Sequence, residues 1–298
     1  MRCNSVARAV GLAAVTAVLL TAASPDRLTA QSGGGVAGLA VRLASMTAVT
    51  GYEQAIGDSL LALLPGSERD RLGDVTLVLG TGAPRRLATC ALDEVGYVVG
   101  GVTEPGYLTL RRVGARFSYA LFDQQLEGQR VTVFGTRGAV PGVVAVRSVH
   151  LTRGRAAGPE APFTVDNAYV DVGATTRTEA EALGIAVLAP VARAKRPILY
   201  GNRLLAAPAA GRRAACAALA AAALARPHVR GTVVVAFTVQ SLYAGNAGLG
   251  AVKALRGPFD EIKQASLTVR YPDTVVETVG LADAEALEQQ LATWMGGK

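Results

Sequence analysis

The chain has 298 residues, of which 50% are hydrophobic and 18% are charged, and its formal net charge is +7. This composition excludes global disorder, because it supplies enough apolar surface for a buried core. The basic residues form no run and do not alternate with aromatics, so nucleic acid is not the expected partner. The only histidines are His150 and His228, which leaves few choices for histidine-dependent hydrolase chemistry.

The N-terminus has the pattern of a secretory signal. Two arginines precede the apolar run 9–23, and cleavage is expected after Ala23 or Ala30. The run is short for a membrane span. We therefore expect residues 1–30 to direct export to the periplasm or the extracellular space. The alternative is an uncleaved N-terminal anchor that attaches the protein to a membrane.

After this segment the chain begins as an α/β protein. Residues 31–35 predict a flexible spacer. The spacing of apolar residues then predicts helices over 36–48 and 53–64. Two strands are predicted over 75–79 and 86–91, the second apolar along most of its length and therefore buried.

The middle of the chain changes character. Short β-like runs separated by Gly and Pro occupy residues 97–175, with FSYALF at 117–122 among them. Such spacing is typical of a small barrel or sandwich. A helical turn is predicted over 176–183.

The last third returns to alternating helices and strands. The pattern predicts a helix over 208–226, a buried strand over 231–240, a helix over 246–256, a strand over 267–271 and a last helix from about Ala282.

We therefore predict an α/β/α domain with a mixed sheet, interrupted by a small β-barrel domain. The α/β domain consists of residues 36–96 and 198–298, and the β-rich insert of residues 97–197. Cys90 and Cys216 remain after signal cleavage, and the sequence favours two buried free thiols over a disulfide.

Short stretches between Leu43 and Trp294 match the motifs of a known family in order and spacing. They are TGYE at 50–53, LDEVG at 92–96, EGQRV at 127–131, GVV at 142–144 with His150 behind it, VDVGA at 170–174, TVQ at 238–240, and RY at 270–271 with Glu277. On these residues the chain resembles the tetrahedral aminopeptidases, the glutamyl-aminopeptidase type of dinuclear metallopeptidase.

The resemblance implies both a fold and a chemistry. The family fold is an α/β peptidase domain with an inserted β-barrel domain used for assembly, and its C-terminal part is shortened here. The family chemistry uses two zinc or cobalt ions held by two His and several carboxylates. A Glu acts as the general base on the metal-bound water.

The first family positions do not carry the expected groups. The first ligand His is replaced by Ala91, two residues before Asp93, which would orient that His in the family. The stretch that supplies the bridging carboxylate contains Ala207 and Pro208 instead.

The remaining positions are also changed. The segment that carries the base and a further ligand has Ser241 and Leu242, and the place of the last His holds Asp273. One ligand is far fewer than a pair of ions requires. We therefore expect no catalytic residue, no metal ligand and no cofactor, and regard these seven positions as a vestigial site.

Three hypotheses follow for function. The first is an exported, non-catalytic pseudopeptidase with a binding or assembly role, which self-associates or docks a protein through the β insert. A peptide in the vestigial cleft is a further expectation. The second is an active metallo-aminopeptidase or other hydrolase with a relocated site. The third is an accessory subunit of a membrane or envelope complex.

A match of GDSL at 57–60 to esterase motifs is interpreted as a helical Ser59.

Overall fold

The structure is a computed structural model that describes residues 35–114, 120–145, 163–243 and 245–297. The predicted signal segment, most of the spacer and His150 lie outside the described residues. In the described part, none of the helices combines the length and the apolar character needed to cross a lipid bilayer.

The described residues form both helices and strands, and several strands follow one another directly. In order they are α1 (Val36–Ala44), α2 (Gln54–Leu63), β1 (Glu68–Arg69), β2 (Val75–Gly80), β3 (Arg85–Ala91), β4 (Gly96–Val102), β5 (Leu108–Val113), α3 (Ala120–Gln124), β6 (Arg130–Gly135), β7 (Gly138–Val144), β8 (Tyr169–Asp171), α4 (Arg177–Ala182), β9 (Pro190–Arg193), β10 (Ile198–Tyr200), β11 (Leu204–Ala206), α5 (Ala210–Leu224), β12 (Thr232–Thr238), α6 (Ala247–Arg256), β13 (Glu261–Gln264), β14 (Thr278–Gly280) and α7 (Leu281–Met295).

The main sheet is mixed, with strand order β1-β2-β12-β3-β13. Strands β12 and β13 run parallel to β3, and β2 runs antiparallel to β12. β12 is buried along its whole length, because both faces of the sheet are covered. Val235 and Phe237 belong to the larger core with α1, α5 and α7. Val234 and Ala236 pack on the opposite face with Val252 of α6.

Helix α5 explains how a chain with few aromatics builds this core. Thirteen of its residues are buried, and most of them are alanines. Small side chains allow the helix to approach the sheet and α1 closely, so the core is filled by short aliphatic groups.

The middle of the chain forms a closed barrel with strand order β4-β5-β8-β7-β6-β9. Its interior holds alternate residues of the strands, including Val99, Leu110, Val133 and Val191. A second antiparallel sheet, β10-β11-β14, follows the barrel. The mixed sheet between helices and the closed barrel confirm the predicted fold class.

Two predicted strands are wrong. Residues 267–271 form no strand, and the edge strand lies earlier, at β13. Tyr271 and Asp273 adopt positive φ values of 54° and 60°, which interrupt an extended chain. The described part of FSYALF belongs to helix α3, because Phe122 packs into the barrel core.

The prediction of free thiols is also wrong. Cys90 and Cys216 form a disulfide with a Cα–Cα distance of 5.4 Å, within the range usual for such a bridge. Packing of α5 against β3 brings together two residues that are 126 positions apart. No local pattern could have revealed this pairing.

Removal of the disulfide is expected to destabilise the protein strongly. A bridge that closes so long a loop restricts the unfolded chain, so the double variant Cys90→Ala/Cys216→Ala should lose about 3–5 kcal/mol of unfolding free energy. Denaturant titration measures this loss, and a non-reducing peptide map should show the two peptides linked. Two alkylatable thiols and an unchanged midpoint would contradict the assignment.

Candidate functional site

The candidate site lies where the parallel strands β3 and β12 end side by side. Ala91 and Thr238 are register partners at these carboxyl ends, the edge at which open α/β sheets bind ligands. The segment after β12, the start of α5 and residues 265–277 converge there. The cleft at this edge of the sheet is therefore the candidate functional site.

The structure brings the predicted vestigial positions together. Ala91, Ser241 and Asp273 line a cavity of about 300 Å³. Pro208 and Leu242 line a smaller neighbouring cavity of about 40 Å³, which also reaches Asp273. The remaining two positions, Asp93 and Ala207, are buried beside these cavities.

Three buried carboxylates hold the backbone of residues 239–242, the segment that would carry the family's base. Each accepts one N–H from this segment. The pairs are Asp74 Oδ1 with Val239 at 2.8 Å, Glu53 Oε1 with Gln240 at 2.8 Å and Asp93 Oδ2 with Leu242 at 2.9 Å. The conformation of the segment is therefore fixed by acids from three different parts of the chain.

The sequence analysis did not identify Arg212 as a site residue, yet it occupies the centre of the cleft. Its Nη1 donates to Ser241 Oγ at 2.8 Å and approaches Asp93 Oδ1 at 3.4 Å. Ser241 Oγ in turn donates to Asp93 Oδ1. A guanidinium and a hydroxyl thus satisfy the carboxylate that would orient a ligand histidine in the family.

A second cluster of charges lies deeper. Lys195 and Glu94 form an ion pair whose two side chains are only 6% exposed. Arg213, fully buried, lies 3.5 Å from the other oxygen of Glu94 and donates to the carbonyl of Leu92. The sequence did carry one signal for this cluster, namely two adjacent arginines in an otherwise apolar alanine helix.

Burial and pairing set the pKa values of this cluster. Burial disfavours the Glu94 carboxylate, but the charges of Lys195 and Arg213 outweigh it and lower the pKa of Glu94. Burial lowers the pKa of Lys195 to about 8, although the charge of Glu94 opposes the shift. The pair therefore remains ionised near neutral pH.

The acids around the cleft behave differently. Burial raises the pKa of Glu53 and of Glu277, and the backbone N–H groups that they accept oppose the shift. Burial raises the pKa of Asp74 to about 7, with the negative charges of Asp70 and Glu53 adding to it. Burial thus favours the neutral form of these acids relative to a carboxyl group in water.

The described backbone around the cleft is left-handed at five residues other than glycine. They are Ala209, Gln240, Asn246, Tyr271 and Asp273, with φ between 51° and 60°. This left-handed conformation costs side-chain-bearing residues about 1–2 kcal/mol each. Such strain clusters at functional sites, so the cleft keeps a site-like backbone despite its changed side chains.

The fold and this cleft define a peptidase-type α/β protein with an inserted barrel. The family described as M42 glutamyl aminopeptidase matches residues 73–241. The chain belongs to this family.

Similar proteins agree with this assignment. The putative aminopeptidase SgcX of Escherichia coli (strain K12) is 32% identical over 181 residues, which are 58% of this chain and 46% of that protein. The chain thus spans less than half of the length of this curated relative.

Two solved structures share the fold. The dodecameric PhTET1-12s superposes with a TM-score of 0.71 and 19% identity, covering 87% of this chain and 98% of its own. The TET1 peptidase of Pyrococcus horikoshii, which can assemble into a tetrahedron or a large octahedral shell, has a TM-score of 0.72 and 17% identity. It covers 88% of this chain and 99% of its own.

The sequence analysis expected no cofactor. This expectation is wrong, because the chain belongs to the M42 family and M42 aminopeptidases are metal-dependent. That expectation came from counting ligands at the aligned positions.

The side chains around the described cleft do not fit a pair of divalent ions. Within the described ranges, no group of three or more His, Cys, Asp or Glu side chains is arranged to hold a metal ion. Asp93 already accepts from Ser241, Leu242 and Arg212. The charge of Arg212 would repel a second cation at this point. We therefore derive no step through a metal at this cleft.

Replacement of Glu94 is expected to destabilise the folded protein, because two buried cations depend on its charge. Glu94→Gln leaves Lys195 and Arg213 without their counter-charge and should lower the unfolding free energy by about 3–5 kcal/mol. Glu285→Gln is the matched control, because its partner Arg203 is 52% exposed and its loss should cost less than about 1 kcal/mol. Equal shifts of the two denaturation midpoints would contradict the role of Glu94.

Asp74 is expected to make stability depend on pH. Its folded pKa is about 7 against an ordinary value of 3.8, so the folded state binds the proton more tightly than the unfolded state. The unfolding free energy should therefore fall as pH rises from about 4 to about 7.

Asp74→Asn should flatten this profile and stabilise the protein at pH 8 by on the order of 2–4 kcal/mol. Asp166→Asn, at a side chain that is 74% exposed, is the control. Thermal unfolding across the pH range measures both variants. Parallel profiles for wild type and Asp74→Asn would refute the assignment.

Proposed function

We propose that the protein is an exported, non-catalytic member of the M42 aminopeptidase family whose cleft binds a peptide instead of hydrolysing it. The observation that carries this proposal is the Arg212–Ser241–Asp93 network. It places a positive charge and a carboxylate that accepts three hydrogen bonds at the centre of the cleft.

The acids of the cleft are engaged in hydrogen bonds, and this supports binding over hydrolysis. A general base must lie within hydrogen-bond reach of the attacking water. Asp93 accepts three hydrogen bonds, as described above. Glu277 Oε1 accepts the Gly211 N–H at 2.8 Å, and its Oε2 accepts the Asp273 N–H at 3.1 Å. The strained backbone and the remaining cavity are then used to hold a ligand in place.

Two features support export. The first 30 residues have the composition of a secretory signal. The Cys90–Cys216 disulfide is typical of an oxidising compartment. We place the folded part in the periplasm or outside the cell on these grounds.

The barrel is proposed to mediate self-association. Val143, Val187 and Leu188 are exposed by 48%, 59% and 62%, respectively. Two structural neighbours form large assemblies. Exposed apolar side chains on an otherwise packed barrel are typical of such contacts.

A hydrolase with a relocated site is the second candidate, and one observation favours it. Glu277 lines both cavities, and burial raises its pKa. A carboxyl group of this kind is a candidate general acid or base.

The two candidates separate in one experiment. The full chain is incubated with a mixture of short peptides in the presence of added zinc or cobalt, and both bound and cleaved peptides are identified by mass spectrometry. We expect intact peptides to be retained and no new termini to form. Cleavage that disappears with a chelator and in Glu277→Gln would overturn the binding proposal.

A further inference from the structure

Strand β13 ends the main sheet, and among the described strands it pairs only with β3. All four of its residues are exposed. The Ala265 N–H donates to the Thr89 carbonyl of β3 at 2.8 Å. Because backbone groups alternate in direction along a strand, Ile262 and Gln264 present their N–H and C=O groups to the outer edge. An edge of this kind is a template for pairing with another chain.

The side chains of β13 divide between the two faces of the sheet. Register partners on neighbouring strands lie on the same face. Ile262 is the partner of Leu87, which packs under α6, so Ile262 lies on the α6 face, where it is 43% exposed. Glu261 is the partner of Arg86, whose guanidinium lies 4.8 Å from the ring centre of Trp294 in α7. Glu261 therefore lies on the opposite face, beside α7.

Glu261 and Lys263 share this second face and carry opposite charges. The indole N–H of Trp294 donates to Glu261 Oε1 at 2.7 Å, which holds the carboxylate in place at the edge through one of its two oxygens. A lysine on an edge strand ordinarily discourages pairing with another strand. Here a glutamate two residues away can neutralise the lysine of a second copy.

An antiparallel pair of β13 strands centred on Ile262 matches all of these groups. Ile262 then lies opposite the same residue of a second copy as a hydrogen-bonded pair, as its outward backbone groups require. Glu261 of each copy lies opposite Lys263 of the other in a non-hydrogen-bonded pair, where side chains are closest. We propose that the β13 edge is a self-association surface at which two copies of the chain join their main sheets around Ile262.

This surface is separate from the barrel contacts and the peptide cleft proposed above. Four residues on each copy bury less area than a stable interface requires. The dimer is therefore expected to be reversible and to dissociate on dilution.

Sedimentation velocity over a range of protein concentrations tests the charge pairing. Lys263→Glu and Glu261→Lys each place two like-charge pairs across the interface, so each variant alone should dimerise at least about tenfold more weakly than wild type. An equimolar mixture of the two variants restores both opposite-charge pairs and should form a heterodimer. Arg71→Glu makes the same charge change at an exposed residue near the other end of the sheet and should associate like wild type.

Cross-linking tests the register. In Ile262→Cys, combined with Cys3→Ser to remove the remaining free thiol, the two introduced residues lie about 5.5 Å apart at Cα, within the range of a disulfide. Oxidation should produce a covalent dimer on a non-reducing gel. Gln264→Cys is the matched control on the same face. Its two copies would lie about 14 Å apart along the paired strands and should not be linked.

Three results would overturn the β13 surface: a wild-type chain that is monomeric at every concentration, a mixture of the charge variants that does not associate, or equal cross-linking of the two cysteine variants. Association that persists unchanged in both Lys263→Glu and Glu261→Lys would also overturn it and would assign assembly to another surface, such as the barrel. Thermal unfolding of each variant near the wild-type midpoint shows that lost association is not caused by misfolding. Peptide binding is measured separately and does not depend on the outcome.

Discussion

The pairing of two buried carboxylates, Asp93 and Glu94, with positively charged side chains organises the centre of the cleft. Asp93 and Glu94 follow strand β3 inside the protein, with exposures of 0% and 6%. Here Lys195, Arg212 and Arg213 supply the charge through side chains. The cleft is thus stabilised from within the chain itself.

This arrangement depends on helix α5. Its alanines let it lie close to the sheet, and the same close approach places Arg213 beneath Glu94 and joins Cys216 to Cys90. Fold and site are consequently coupled, because a bulkier helix would move the cations away from the acids. The three acids that hold the backbone of residues 239–242 complete the scaffold of the cleft.

Much of the fold could be predicted from the sequence, and less of the site. Apolar periodicity identified the helices and the buried β12, and regular turn signals identified the barrel. The strand expected at 267–271 failed because tertiary packing imposes left-handed backbone there. The converging vestigial positions followed from the family motifs. Arg212 and Lys195 did not, since only the folded chain brings these cations beside Asp93 and Glu94.

The coupling between Asp93 and Arg212 is the most direct test of this account. A double-mutant cycle with Asp93→Asn and Arg212→Gln, followed by denaturant unfolding, measures it. We predict a coupling energy of about 1–3 kcal/mol, because each charge loses its partner in the single variants. Additive effects of the two substitutions would contradict the claim that arginine charge stabilises the acids of the cleft.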